Sequence, residues 1–321
     1  MNRFKISDLR DNVGEIDLFI TSISFEDRCK VVYDELLNCN LIRRKSWVAF
    51  NKNEQEFFEG NFAHFQSNDK VEFMEFSSDN PLVSYKSLIG KFIFNENIGN
   101  ILVDISTFTH EGLLILFKYL EIFRDFYKGV RFIYLGVEEY SYKEQEGNKW
   151  LSKGTKTIRS VLGYPGVLNP AKKNHLIILF GFEYERTVKL IESFEFDKVS
   201  IGVGPEGSLN SKHYELNRKL HLDLINRYPF CEPFEFSLDD SIKCQQEIEK
   251  QINKYPNYNV VITPLNNKIS TLGAGLVALQ NPVVQLSYVR PHEYNINAYS
   301  KPSDDCYLFS LEYFDLIKKG S

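Results

Sequence analysis

Val260-Val261-Ile262-Thr263-Pro264-Leu265-Asn266-Asn267-Lys268-Ile269-Ser270-Thr271-Leu272-Gly273-Ala274-Gly275-Leu276 decides the fold reading. A short apolar run enters a polar turn with one lysine, and residues at helical spacing follow, many of them small. Strand, turn and helix in that order form the unit with which α/β domains hold an anion against a helix N-terminus.

Outward from this stretch, the same alternation recurs. Asp17–Ser24, Trp47–Phe50, Val71–Phe76, Asn100–Ser106 and Val130–Leu135 read as strands, with helical spacing over Cys29–Leu37, Asn53–Phe65, Pro81–Phe94 and Gly112–Phe126. Nearly continuous apolar strands alternating with helices imply a mostly parallel sheet covered on both faces. The stretch from Ser141 to Asn174 breaks the rhythm with glycines, prolines and a basic bias, although Thr157–Tyr164 offers a short element to either side. The pattern then resumes with strands at His175–Gly181, Lys198–Val203 and Pro282–Tyr288. Helices are expected over Thr187–Phe194, Lys212–Tyr228 and Leu238–Lys254, the last capped by Ser237 or Asp239. Cys231–Phe236 reads as extended, and Cys306–Leu311 as a final edge strand. The expected division is a first unit over 1–142, a basic linker over 143–174 and a second unit over 175–321.

Four features recur in order. One strand ends in Ser24-Phe25-Glu26-Asp27-Arg28 and another in Gly181-Phe182-Glu183-Tyr184-Glu185-Arg186. Later strands run into polar turns at Asp104–Thr107 and Thr263–Asn266. Tyr134 and Tyr288 lie near the ends of the next strands, and Glu139-Tyr140 and Glu293-Tyr294 follow. The fold class is therefore α/β: two tandem Rossmann-like units with mostly parallel sheets, related by internal duplication. The repeated turns all fall at carboxyl ends of strands, where ligands of such sheets sit, so the expected ligand place is a cleft between the two units.

Candidate chemistry collects in those turns. Lys268 offers a point charge to phosphate, with Thr263, Asn267, Ser270, Thr271 and helix N–H groups completing a cradle. The same residues also suit a solvated turn that caps its own helix. Asp104 with His110 could form an acid–base pair, and Ser106 and Thr107 could contact a ligand or cap the next helix. Arg28 and Arg186 could clamp an anion, or each could hold a loop through Glu26 and Glu183. Tyr294 could stack on a base, or simply close a core edge.

Composition excludes several classes. Net charge is −5, which disfavours broad duplex nucleic-acid binding. The five cysteines show no metal-ligand spacing, so no metal is expected, and no motif calls for a cofactor. No apolar run approaches the roughly 18 residues of a membrane span, and the N-terminus lacks a signal-peptide pattern. The expectation is a cytoplasmic protein.

At Thr263–Lys268 and the following helix, the sequence resembles the CARF family of Rossmann-like sensor domains. That family binds cyclic oligoadenylates across paired domains, and the related SAVED domains fuse two such units in one chain. Asn266-Asn267 stand where that family carries a glycine pair, and the first repeat has Thr107–His110 without a lysine. The resemblance implies a cyclic oligonucleotide signal, as in prokaryotic antiviral defence. The expected function is a sensor of a phosphorylated nucleotide, working through a protein partner or a homo-oligomer. The alternatives are a nucleotide hydrolase of ring-nuclease type using Asp104 and His110, and a non-catalytic interaction subunit.

Overall fold

A computed structural model describes residues 1–94, 97–141, 143, 149–209, 213–297 and 299–311. In chain order it contains β1 (Asn2–Lys5), α1 (Leu9–Val13), β2 (Ile16–Ser22), α2 (Arg28–Asn38), β3 (Ile42–Phe50), α3 (Glu59–Gln66), β4 (Val71–Glu75), α4 (Pro81–Ile93), β5 (Asn100–Asp104), α5 (His110–Ile122) and β6 (Gly129–Tyr140). Then come β7 (Ser152–Lys153), β8 (Thr157–Pro165), β9 (Asn174–Leu179), α6 (Tyr184–Ser193), β10 (Lys198–Val203), α7 (Tyr214–Arg227), β11 (Cys231–Glu235), α8 (Ser241–Lys254), β12 (Asn259–Pro264), α9 (Lys268–Gln280), β13 (Gln285–Arg290), β14 (Glu293–Tyr294) and β15 (Ser300–Ser310). The fold is α/β with two largely parallel sheets, as the alternating pattern implies.

One sheet runs β1-β15-β6-β5-β2-β3-β4, the other β11-β10-β9-β12-β13-β8. Within the first, β2, β3, β4, β5 and β6 are mutually parallel neighbours. Within the second, β9 to β13 are likewise parallel, and β8 is antiparallel to β13. Numbered by their own chain order, both sets of five parallel strands lie 3-2-1-4-5. In each, the order reverses between its first and fourth strands, β2 and β5 or β9 and β12. In open parallel sheets, ligands bind outside the carboxyl ends of the strands at such a switch point. The internal repeat is therefore a repeat of topology.

The helices after the fourth strands are also equivalent. Residues Glu111–Phe117, Tyr119 and Leu120 of α5 are buried, as are Ile269–Leu279 of α9. Helices apolar nearly all round lie inside a fold, so both are central. In the second unit Gly273 allows α9 to approach α8: a Cβ there would lie 2.8 Å from the Cys244 Cβ and 2.9 Å from the Ser241 carbonyl oxygen.

The compact units divide the chain differently from the boundaries expected above. Unit one is Met1–Glu138 with the chain from Ser300 onward, and unit two is Glu139–Tyr299. The basic stretch is not a plain linker, because β8 forms the edge of the second sheet. Its Gly163 and Gly166 adopt positive φ of 94° and 63°, turning the strand where a Cβ at Gly166 would strike the Gln285 backbone. β15 is not an edge strand, since it lies between β1 and β6. Tyr142, Glu144–Asn148 of the basic stretch, Lys212 of the expected helix and residues 312–321 lie outside the described residues. Among the described residues, no helix is long and apolar enough to cross a membrane.

Candidate functional site

Each unit carries a buried glutamate–arginine pair at the turn after its first parallel strand. In the first unit Arg28 lies 3.2 Å from Glu26. It donates to the carbonyls of Leu135 and Ser106 at 3.0 and 2.9 Å. In the second unit Arg186 lies 2.6 Å from Glu183 and donates to the Val289 carbonyl at 2.6 Å. Both pairs thus tie the turn after the first parallel strand to the end of the fifth. A serine from outside the five strands completes each: Ser300 Oγ donates to Glu26, and Ser152 Oγ to Glu183. All four charged side chains are at most 8% exposed. For Arg186 burial works to lower the pKa, but the charge and hydrogen bond of Glu183 outweigh it and the pKa ends raised. The guanidiniums therefore hold two strand ends together; this is the loop-holding alternative, and an anion clamp would have to break it.

The turn before α9 is self-capped. Asn267 is the N-cap, its Oδ1 accepting from the Ser270 amide at 2.9 Å. Its Nδ2 donates to the Leu238 carbonyl at 2.6 Å. The hydroxyls of Ser270 and Thr271 both donate to the Asn267 carbonyl at 2.9 Å, and both residues are fully buried. Thr263 is fully buried too, hydrogen-bonded to Ser287. Four residues read as a phosphate cradle thus have hydrogen bonds that build the turn and start the helix. Lys268 is half-buried as the first residue of α9. Tyr294 is half-buried in β14, its hydroxyl 3.4 Å from that of Tyr288.

The first unit builds the matching turn with different residues. Asp104 Oδ1 accepts from the amide and the hydroxyl of Ser106. Ser106 Oγ accepts from the Leu135 amide at 2.8 Å, and Thr107 Oγ1 donates to the Ser22 carbonyl at 2.6 Å. Thr109 caps α5 by accepting from the Gly112 amide at 3.0 Å, which leaves His110 as the first helical residue. His110 therefore occupies in α5 the position that Lys268 occupies in α9. Asp104 is 0% exposed and its Oδ2 has no hydrogen-bond partner. Burial pushes its pKa up, the two hydrogen bonds from Ser106 and the Arg28 charge push it down, and the result is about 6.

Asp104 and His110 thus share a turn, but the aspartate is sealed beneath it. Sequence reasoning missed Ser152 and Ser300 as partners of the glutamates. No local pattern marks either, because each lies in a segment whose place is set by sheet pairing. Among the described residues no group of three or more His, Cys, Asp or Glu could hold a metal ion.

No family model matches the chain, and no curated protein matches it. Among solved structures, a functionally unknown protein from Pseudomonas aeruginosa PAO1 aligns over 86% of this chain and 93% of its own, at 11% identity and a TM-score of 0.26. The cytoplasmic domain of a prokaryotic cation chloride cotransporter aligns over 88% and 99%, at 10% identity and a TM-score of 0.25. Likenesses at this level carry no argument about what this chain does.

Proposed function

We propose that this protein binds a phosphorylated nucleotide and acts as a ligand sensor, with the switch-point crevice of the second unit as its anion site. The observation that carries the reading is the repeated 3-2-1-4-5 strand order, with a half-buried lysine opening the helix beyond the switch point. Such a crevice is where open parallel sheets take ligands. A cation on the first turn adds to the positive end of the helix dipole. In this reading the buried braces and the self-capped turn keep the crevice rigid, so little ordering is required when ligand arrives. A cyclic oligonucleotide is the finer form of the proposal, resting on the resemblance at Thr263–Lys268, and a protein partner or second copy would relay the signal.

Turnover is the weaker reading, because a general acid or base must reach its substrate and Asp104 is fully buried. Calorimetric titration of mononucleotides and cyclic oligoadenylates into wild type and Lys268→Ala is the test. At least one should bind, and the substitution should weaken it about tenfold, as loss of one charge-assisted contact does. Absence of binding across the panel, or identical affinity in the variant, would overturn the site.

A further inference from the structure

The two units serve as controls for each other at one buried position. Asp104 ends β5 beside Ile133 of β6. Thr263 occupies the corresponding place in β12, where it bonds Ser287 of β13. The second unit therefore has a neutral residue at this place beside its Glu183–Arg186 pair. The first unit sets a second buried carboxylate, Asp104, near its Glu26–Arg28 pair. The thiols near Asp104 supply no positive charge. Burial holds the Cys29 thiol up at about 12, and it raises the pKa of Cys306 on β15 as well. Of the titratable pair that opens α5, Glu111 is a buried acid and His110 is half-buried at the helix start.

We propose that Asp104 is a proton-operated latch on the turn that opens α5, built into the first unit and absent from the second. A proton on its carboxyl balances the buried charge. Oδ2, the oxygen that would carry it, is buried with no hydrogen bond to stabilise a charge. The carboxyl holds Ser106, Ser106 receives the Leu135 amide, and the Ser106 carbonyl receives Arg28. Charge left uncompensated there strains the whole turn. The latch closes in acid and slackens as pH rises, because the closed turn binds a proton that the open turn releases. The proposal needs no ligand and stands apart from the anion site of the second unit.

Amide hydrogen exchange on the full chain tests it, read at Ser106 and Leu135 and corrected for the intrinsic pH dependence of exchange. Protection should fall by up to about tenfold per pH unit between the ordinary aspartate value and about 6, then level off. Asp104→Asn should flatten the profile, and so should Asp104→Thr, which installs the residue used by the second unit. A flat wild-type profile, or a slope that survives in both variants, would overturn the latch.

Discussion

Arg186 shows how much one side chain can be asked to hold. Its guanidinium meets Glu183 and the Val289 carbonyl, while Glu183 also receives Ser152. Replacing it by leucine strands a buried carboxylate, which costs about 3–5 kcal/mol. Urea denaturation of Arg186→Leu should therefore show a loss in that range, and a change under about 1 kcal/mol would mean that the pair is not buried as described. His175 makes a prediction of opposite sign to Asp104. It is fully buried, with Nε2 2.8 Å from Ser200 Oγ, and burial lowers its pKa to about 4. Nearby Glu232 raises it less than burial lowers it. A depressed histidine contributes stability above its unfolded value, which is lost as pH falls toward the folded one. The second unit should thus weaken between about pH 6.5 and 4, and His175→Gln should reduce that acid sensitivity in melting curves taken across the range.

At the scale of elements, the inner strands β2, β5, β9 and β12 were legible because their apolar residues run almost unbroken, as strands covered on both faces require. Caps were less so. Ser237 and Asp239 hydrogen-bond each other, and Asp240 caps α8, accepting from the Ile242 and Lys243 amides at 2.9 and 3.1 Å. Three polar residues within four positions name a cap region, but only backbone geometry says which side chain faces the free amides. Asp240→Ala should therefore cost about 1 kcal/mol, and Asp239→Ala much less. Gly273 is a sharper case. Alanine would gain up to about 1 kcal/mol of helix propensity at an open site. Against Cys244 and Ser241 it has no room, so the α8–α9 contact must spread. Gly273→Ala should come out net destabilising in thermal melts; a stabilised variant would show that the helices separate freely. At Gly273 the small residue thus serves helix packing. The turn residues misled for a related reason: sequence gives a side chain's type, whereas its role depends on which backbone groups lie in reach. Asn267 looks the same as ligand or as cap until Leu238 and Ser270 are placed beside it.

For the whole molecule, local pattern could not show where the last strand belongs. Ser300–Ser310 begins polar and includes Pro302, and its partner β1 lies at the other end of the sequence, with Asn2 opposite Leu308. β8 showed only as a short element over Thr157–Tyr164, since an edge strand tolerates the glycine and proline that also mark a linker. A chain ending at Tyr299 should lose hydrogen-exchange protection in β1 and β6, the strands that flank β15. β9, β10 and β12 should keep theirs. Full protection of β6 in the shortened chain would show that β15 is dispensable.

The pairing of Asn2 with Leu308 also sets an order in time. A chain emerges from the ribosome N-terminus first, and domains tend to fold as they emerge. Here the first unit to appear is the last able to finish, since the strand between β1 and β6 is synthesised after all of Glu139–Tyr299. During that interval β6 has an open edge, a template for mispairing with other nascent chains. The second unit carries β8 ahead of β9 and has no such wait. Nascent chains arrested before Ser300 should therefore engage chaperones through the first unit, and release of that unit should coincide with emergence of the final strand.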